Sequence, residues 1–202
     1  AILDADRSNN YLDTTTLETL YPNVQPIRDS IKMMLYQYKS NMKRILITGG
    51  CGFIGSNFIN SYFPKASFQV MVNLDAMYYC AKETNVHDSI RDSNQYVHIK
   101  DDLSNFKYIQ EILEKYNITH ILHFAAQSHV QNSFSDSLQY TKDNVMGTHN
   151  LLEATRLYGK IERFIHVSTD EVYGESMNTI EEQHKTEQSI LCPTNPYAAT
   201  KA

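Results

Sequence analysis

The chain has 202 residues, 42% hydrophobic and 20% charged, enough for one globular domain and part of another. Its 18 basic and 23 acidic residues give a net charge of −5, which argues against a nucleic-acid partner. No run approaches the ~18 apolar residues of a membrane span, and the first ten residues carry no signal-peptide pattern. Cys51, Cys80 and Cys192 are scattered, without a Cys-x-x-Cys pair, and fit a reducing, cytoplasmic setting better than a disulfide framework.

Residues 1–41 come first and stand apart from the rest. Asp13 or Thr14 can cap a short helix carrying Leu17 and Leu20, and Pro26 suits the first position of a second. Ile27, Ile31, Met34, Leu35 and Tyr38 then form an amphipathic stripe, followed by a polar linker over 39–43. This segment is too short to make its own core, so the stripe is expected to pack on a surface outside it. A start at Ala1 and an end at "YAATKA", in the first turns of a helix, lead us to expect a piece of a longer protein.

From Arg44 onward, apolar β-branched runs alternate with helical patterns. The spacing predicts strands over 45–48, 69–74, 96–100, 120–125 and 163–169, and helices over 53–62, 105–115 and 138–158. Near-continuous apolar strands of this length are those of a parallel sheet buried on both faces. The alternation implies βαβ crossovers and an α/β fold, a doubly wound parallel sheet of the Rossmann type. His120 and His123, three apart on a strand, point to opposite faces, so no metal site is expected from the eight histidines.

"ILITGGCGFIGSNF" places Gly49, Gly50, Gly52 and Gly55 between the first strand and a helix. Missing Cβ atoms there permit a tight turn and a close approach of pyrophosphate to free N–H groups at the helix N-terminus. Asp75 follows Gly55 by twenty residues at the end of the second strand. Its carboxylate can accept from both ribose hydroxyls and would repel a 2′-phosphate, which favours NAD over NADP. Asp102, in "IKDDL", can hold the adenine amino group. Phe53, Ile54 and Leu103 are counted with this cofactor site. Cys51 reads as a small filler and not a nucleophile, because no histidine or basic partner stands beside it in sequence.

"VSTDEVYG" then sets Asp170 and Glu171 side by side where the last strand ends. Tyr197 and Lys201 form Tyr-x-x-x-Lys, one helical turn apart on a common face. An ammonium beside the phenol is expected to favour the phenolate.

"TGGCGFIGS", "HFAAQSHV", "VSTDEVYG" and "PTNPYAATKA", in this order, resemble the extended short-chain dehydrogenase/reductases, and within them the nucleoside-diphosphate-glucose 4,6-dehydratases of rhamnose-type biosynthesis. The resemblance covers about residues 42–202 and looks closer to the UDP-glucose branch than to the bacterial dTDP-glucose enzymes. It implies that Tyr197 takes a proton from the sugar's 4-hydroxyl while NAD is reduced, and that Lys201 binds the nicotinamide ribose. Thr169 would hydrogen-bond the 4-oxygen, Asp170 would protonate the departing 6-hydroxyl, and Glu171 would take the C5 proton. Phe124, Ala125, Ala126 and Gln127 would run along the cofactor and bring Ser128 to the sugar nucleotide. Family enzymes usually form homodimers through helices that include the Tyr-x-x-x-Lys helix. Residues 7–31, "RSNNYLDTTTLETLYPNVQPIRDSI", resemble the tail of a 4-keto-6-deoxyhexose epimerase/reductase, so 1–41 is expected to close an upstream domain in a fusion ordered oppositely to the plant type.

Four positions depart from the family pattern: Ala76, where Lys is usual; Asp101, for Gly; Gln131, for Asp; and Asp143, for Thr or Asn. The family's nucleoside-diphosphate lobe is expected beyond Ala202, so the 202-residue chain alone is expected to turn over little. Two alternatives stay open: a related 4-epimerase or decarboxylase, in which the acid pair is typically replaced by small residues, and an NAD-binding module without catalysis.

Overall fold

The computed structural model describes residues 29, 32, 33, 42–174 and 185–202. The chain divides into two units, Ala1–Asn41 and Met42–Ala202. The stripe and caps expected before residue 41 lie outside the described residues or rest on too few of them. The second unit carries the fold.

Five parallel strands form one sheet in the order β3-β2-β1-β4-β5. They are β1 (Lys43–Thr48), β2 (Phe68–Asp75), β3 (Tyr96–Lys100), β4 (His120–His123) and β5 (Arg163–His166). The principal helices are α1 (Phe53–Tyr62), α2 (Asp88–Arg91), α3 (Phe106–Lys115), α4 (Val130–Ser135), α5 (Ser137–Tyr140), α6 (Gly147–Tyr158) and α7 (Pro196–Lys201). A π-helical stretch, Thr141–Met146, joins α5 to α6.

The two central strands, β1 and β2, are mainly apolar because both of their faces are covered. Side chains alternate across the sheet, so Ile45 and Ile47 join Ile59, Phe68, Met71, Val86 and Ile90 on one face. Leu46, Val72, Leu74 and Ile121 join Ile109, Ile112, Leu113 and Leu151 on the other. At roughly 25 cal/mol per Å² of apolar area, these two layers supply the main drive to fold, and α3 packs on α6 to close the second.

Two strands end sooner than the sequence pattern predicts. β4 stops at His123 instead of residue 125, and β5 at His166 instead of residue 169. In both cases the apolar run continues past the last ladder bond into a loop. The helix predicted over 138–158 is three segments with a π-helical turn inside, and α4 before it was not predicted. β1 has β2 on one side and β4 on the other, so the chain reverses its direction of winding at their C-terminal ends. Open α/β sheets bind ligands at such a point.

Candidate active site

The glycine turn leaves β1 and enters α1 in a conformation that side chains would block. Gly49 has φ +72°, and a Cβ there would meet the Ala125 backbone nitrogen at 2.6 Å. A Cβ on Gly55 would lie 2.3 Å from the Gly49 carbonyl oxygen, so this glycine lets α1 close on the turn. Asn73, buried on β2, holds the turn from below. Its Oδ1 accepts from Gly50 N at 3.0 Å, and its Nδ2 donates to the Tyr96 hydroxyl at 2.8 Å and the Cys51 sulfur at 3.2 Å. Sequence reasoning missed Asn73, which looked like one polar residue in an apolar strand.

The expectation for Cys51 needs correction. His98 Nε2 does stand beside its sulfur, at 3.6 Å, from the adjacent β3 region. The two are 47 residues apart, so spacing could not show it. Cys51 is nonetheless a poor nucleophile: burial, with Asp75 adding to it, pushes the thiol up to about 11.

Asp75 is buried at the end of β2, where Oδ2 accepts from Cys51 N and Oδ1 from Met77 N, each at 2.8 Å. Asp102 lies two residues beyond β3 and accepts from Ser104 N at 2.7 Å. Across the switch point, Thr48 Oγ1 accepts from Ala125 N at 3.3 Å and meets His123 Nδ1 at 2.6 Å. The other nitrogen of His123 meets Thr148 Oγ1 at 2.8 Å. With burial pulling His123 down to about 3, this neutral ring ties β1, β4 and α6 together behind the loop of Phe124–Ser128.

These elements enclose a groove of about 380 Å³. Gly49, Gly52, Phe53, Ile54, Gly55 and Asp75 line it. Asp102, Leu103, Phe124, Ala125, Ala126, Gln127, Ser128, Tyr197 and Lys201 line it as well. Tyr78, Tyr79, Lys142, Gly147 and Ser168 are among the lining residues that were not assigned from the sequence. The π-helical stretch turns Asp143 and Asn144 toward the same loop. Asp143 accepts from Gln127 Nε2 at 3.1 Å and Gln139 Nε2 at 2.8 Å. Asn144 is hydrogen-bonded to both backbone groups of Gln127, at 2.7 and 2.9 Å, and to Thr200 Oγ1 at 2.8 Å.

Thr169, Asp170 and Glu171 are not part of the groove wall. The chain bends after Thr169 into a 3₁₀ turn, Asp170–Tyr173, which frees the two acids from the opposite-face rule of a strand. Asp170 is exposed and Glu171 half-buried. Cys192 N donates to Val172 O at 2.9 Å and pins the segment before α7 to this turn. Asn195 then works at both ends: Oδ1 caps α7 through Ala198 N at 2.7 Å, and Nδ2 donates to Glu171 Oε2 at 2.7 Å.

Tyr197 departs from expectation in its electrostatics. Burial pushes its phenol above the ordinary value, a hydrogen bond with Thr169 pulls it down, and Glu171 and Asp170 push it up again. Lys201 Nζ donates to Val167 O at 2.9 Å. Burial pulls Lys201 down to about 8. The site thus joins a phenol, a hydroxyl and two carboxylates to a groove that the glycine turn also lines.

A dinucleotide fits these residues on structural grounds. The turn is bare of Cβ atoms where a pyrophosphate would approach, the N-terminus of α1 opens on it, and a buried carboxylate stands where a ribose would lie. Among the described residues no cluster of His, Cys, Asp or Glu has metal-site geometry, and no helix is long and apolar enough to cross a membrane.

The family described as GDP-mannose 4,6 dehydratase matches residues 46–202. A trifunctional UDP-glucose 4,6-dehydratase/epimerase/reductase of Arabidopsis thaliana is 45% identical over 161 residues, covering 79% of the chain and 24% of that protein. The dTDP-D-glucose 4,6-dehydratase of Homo sapiens is 41% identical, over 79% of the chain and 44% of its own length. Among solved structures, dTDP-glucose 4,6-dehydratase from Bacillus anthracis in complex with NAD is 34% identical with a TM-score of 0.68, covering 79% of this chain and 47% of that one. UDP-glucose 4-epimerase from Brucella ovis in complex with NAD is 28% identical with a TM-score of 0.66, covering 79% and 44%. The chain therefore spans under half the length of these relatives.

Proposed function

The chain belongs to the family described as GDP-mannose 4,6 dehydratase, and from that premise we propose that the whole protein dehydrates a nucleoside-diphosphate-glucose to its 4-keto-6-deoxy form, with UDP-glucose favoured over dTDP-glucose. The observation that supports this is the Asp170–Glu171 pair, held in a 3₁₀ turn that Asn195, the cap of the Tyr197 helix, ties to α7 through Glu171. A 4-epimerase needs the tyrosine alone. Removing water across C5 and C6 needs a base and an acid as well.

The groove would hold NAD, which when bound would supply a reversible hydride acceptor for oxidation at sugar C4 and reduction at C6. The glycine turn and the α1 N-terminus would receive its pyrophosphate, Asp75 its adenosine ribose, and Asp102 its adenine. Tyr197 would accept the proton of the 4-hydroxyl, steadied by Thr169, while Lys201 holds the cofactor's second ribose and supplies positive charge. Once C4 is a ketone, the C5 proton is acidic, and Glu171 takes it. Asp170 gives its proton to the 6-hydroxyl, which leaves as water. Ser128 faces the sugar nucleotide.

A homodimer fits the surface. Leu138, Val145 and Leu152, all within 137–158, are apolar yet 82%, 42% and 47% exposed, which leaves surface for a second copy to cover. The test of function is incubation of the whole protein with UDP-glucose and with dTDP-glucose. A 4-keto-6-deoxy product is expected, formed faster from UDP-glucose. Interconversion of glucose and galactose nucleotides without loss of water would support a 4-epimerase instead.

A further inference from the structure

We propose that Asn195 is the positioning residue for the base: it holds Glu171 by one carboxylate oxygen, leaves the other to take the C5 proton, and ties that carboxylate to the helix of Tyr197. This rests on the dehydratase function above, in which Tyr197 and Glu171 act in turn on neighbouring carbons of one sugar. Two proton acceptors with that task need a fixed spacing, and here they come from separate stretches of the chain.

The turn that carries Glu171 is held by its backbone. Thr169 Oγ1 accepts from Glu171 N at 3.3 Å and donates to Asp170 Oδ1 at 3.2 Å. Cys192 N donates to Val172 O at 2.9 Å. A Cβ on Gly174 would lie 2.6 Å from the Cys192 carbonyl oxygen, so the segment before α7 lies close against the turn. None of these contacts reaches the Glu171 carboxylate. Among the described residues, only Asn195 hydrogen-bonds it, donating from Nδ2 to Oε2 at 2.7 Å.

The capping bond decides which atom of Asn195 faces the base. Oδ1 accepts from Ala198 N at 2.7 Å, which commits that oxygen to α7. The amide cannot be turned end for end without losing this bond, so an N–H must point at Oε2. An amide N–H only donates, and Oε2 therefore directs a lone pair to it. Oε1 has no such partner among the described residues and is the oxygen left to accept a proton from the substrate. Because Asn195 caps the helix on which Tyr197 stands, one side chain sets the place of the second proton acceptor relative to the first.

The test is a single turnover of the whole protein with UDP-glucose in deuterium oxide. Absorbance of bound NADH reports oxidation at C4, and NMR of deuterium entering C5 reports the step given to Glu171. Asn195→Ser and Asn195→Asp both keep an oxygen for the cap, but Ser is too short to reach Oε2 and Asp sets a second carboxylate against it. Deuterium entry should slow about tenfold in Asn195→Ser and about a hundredfold in Asn195→Asp, while C4 oxidation, which needs no base at C5, is retained. In a Glu171→Gln background, Asn195→Ser should slow deuterium entry no further. Equal loss of both steps would show that Asn195 acts only through α7, and unchanged deuterium entry that it only caps the helix; either result overturns the proposal. A wild type that forms NADH but takes up no deuterium at C5, as expected of a 4-epimerase, would overturn the function proposed above and this inference with it.

Discussion

Replacing Gly49 by alanine should be far more damaging than the same change at Gly159, although both have left-handed backbone, φ +72° and +67°. Alanine in that region costs about 1–2 kcal/mol at either position. At Gly159, the residue that ends α6, an added Cβ meets nothing within 4 Å, so that cost stands alone. At Gly49 the Cβ would lie 2.6 Å and 2.7 Å from Ala125 backbone atoms, which belong to the groove lining and cannot rotate away. Relieving such an overlap costs a further ~1–3 kcal/mol, for a total of about 2–5 kcal/mol. Urea unfolding of both variants in the whole protein measures the difference, and isothermal titration with NAD measures the site. Gly49→Ala should also lose most NAD affinity, with Gly159→Ala close to wild type. Equal destabilisation and equal NAD affinity in the two variants would refute the close approach of the glycine turn to the Ala125 loop.

Asp170→Asn and Glu171→Gln should each lower kcat by about 10²–10⁴-fold, the range of a lost general acid or base, while bound NADH accumulates, because oxidation at C4 needs neither; absorbance in a single turnover shows it. Burial and the two acids hold Tyr197 protonated, so kcat/KM should climb with pH on the alkaline side. Thr169→Val removes the bond that pulls the phenol down and should move that climb to higher pH in the pH–rate profile. Lys201 has a lowered value of about 8 in the folded protein. Its burial penalty is full below pH 8 and is lost as pH rises from 8 toward its ordinary range, since only the unfolded chain is then protonated. Wild type should therefore gain stability relative to Lys201→Met over that window, as urea unfolding at several pH values would measure.

What the sequence disclosed and concealed follows from which forces are local. β1 and β2 were legible because burial on both faces makes each a mainly apolar run, as in Ile45-Leu46-Ile47. The same signal overran β4 and β5, because Phe124, Ala125 and Val167 are apolar for the groove and not for the ladder. The glycine turn, Asp75 and the Tyr197–Lys201 pair were legible as spacings fixed by local geometry. Asn73, Asn144 and Asn195 were not, since each matters only through partners brought in from other elements. The π-helical stretch shifts the helical period for a single turn, too briefly to disturb the pattern around it. Tyr197 shows the limit on chemistry: the motif placed the lysine on the right face, but not its hydrogen bond to Val167 O.

The most direct test of the central claim is to give the whole protein UDP-glucose carrying deuterium at C4 and to locate the label in the product by NMR. A 4,6-dehydratase delivers it to C6 of the same molecule, in a 4-keto-6-deoxy sugar, even when unlabelled NADH is present in solution. Label returned to C4 of a glucose or galactose nucleotide, with C6 still hydroxylated, would contradict the roles given to Asp170 and Glu171.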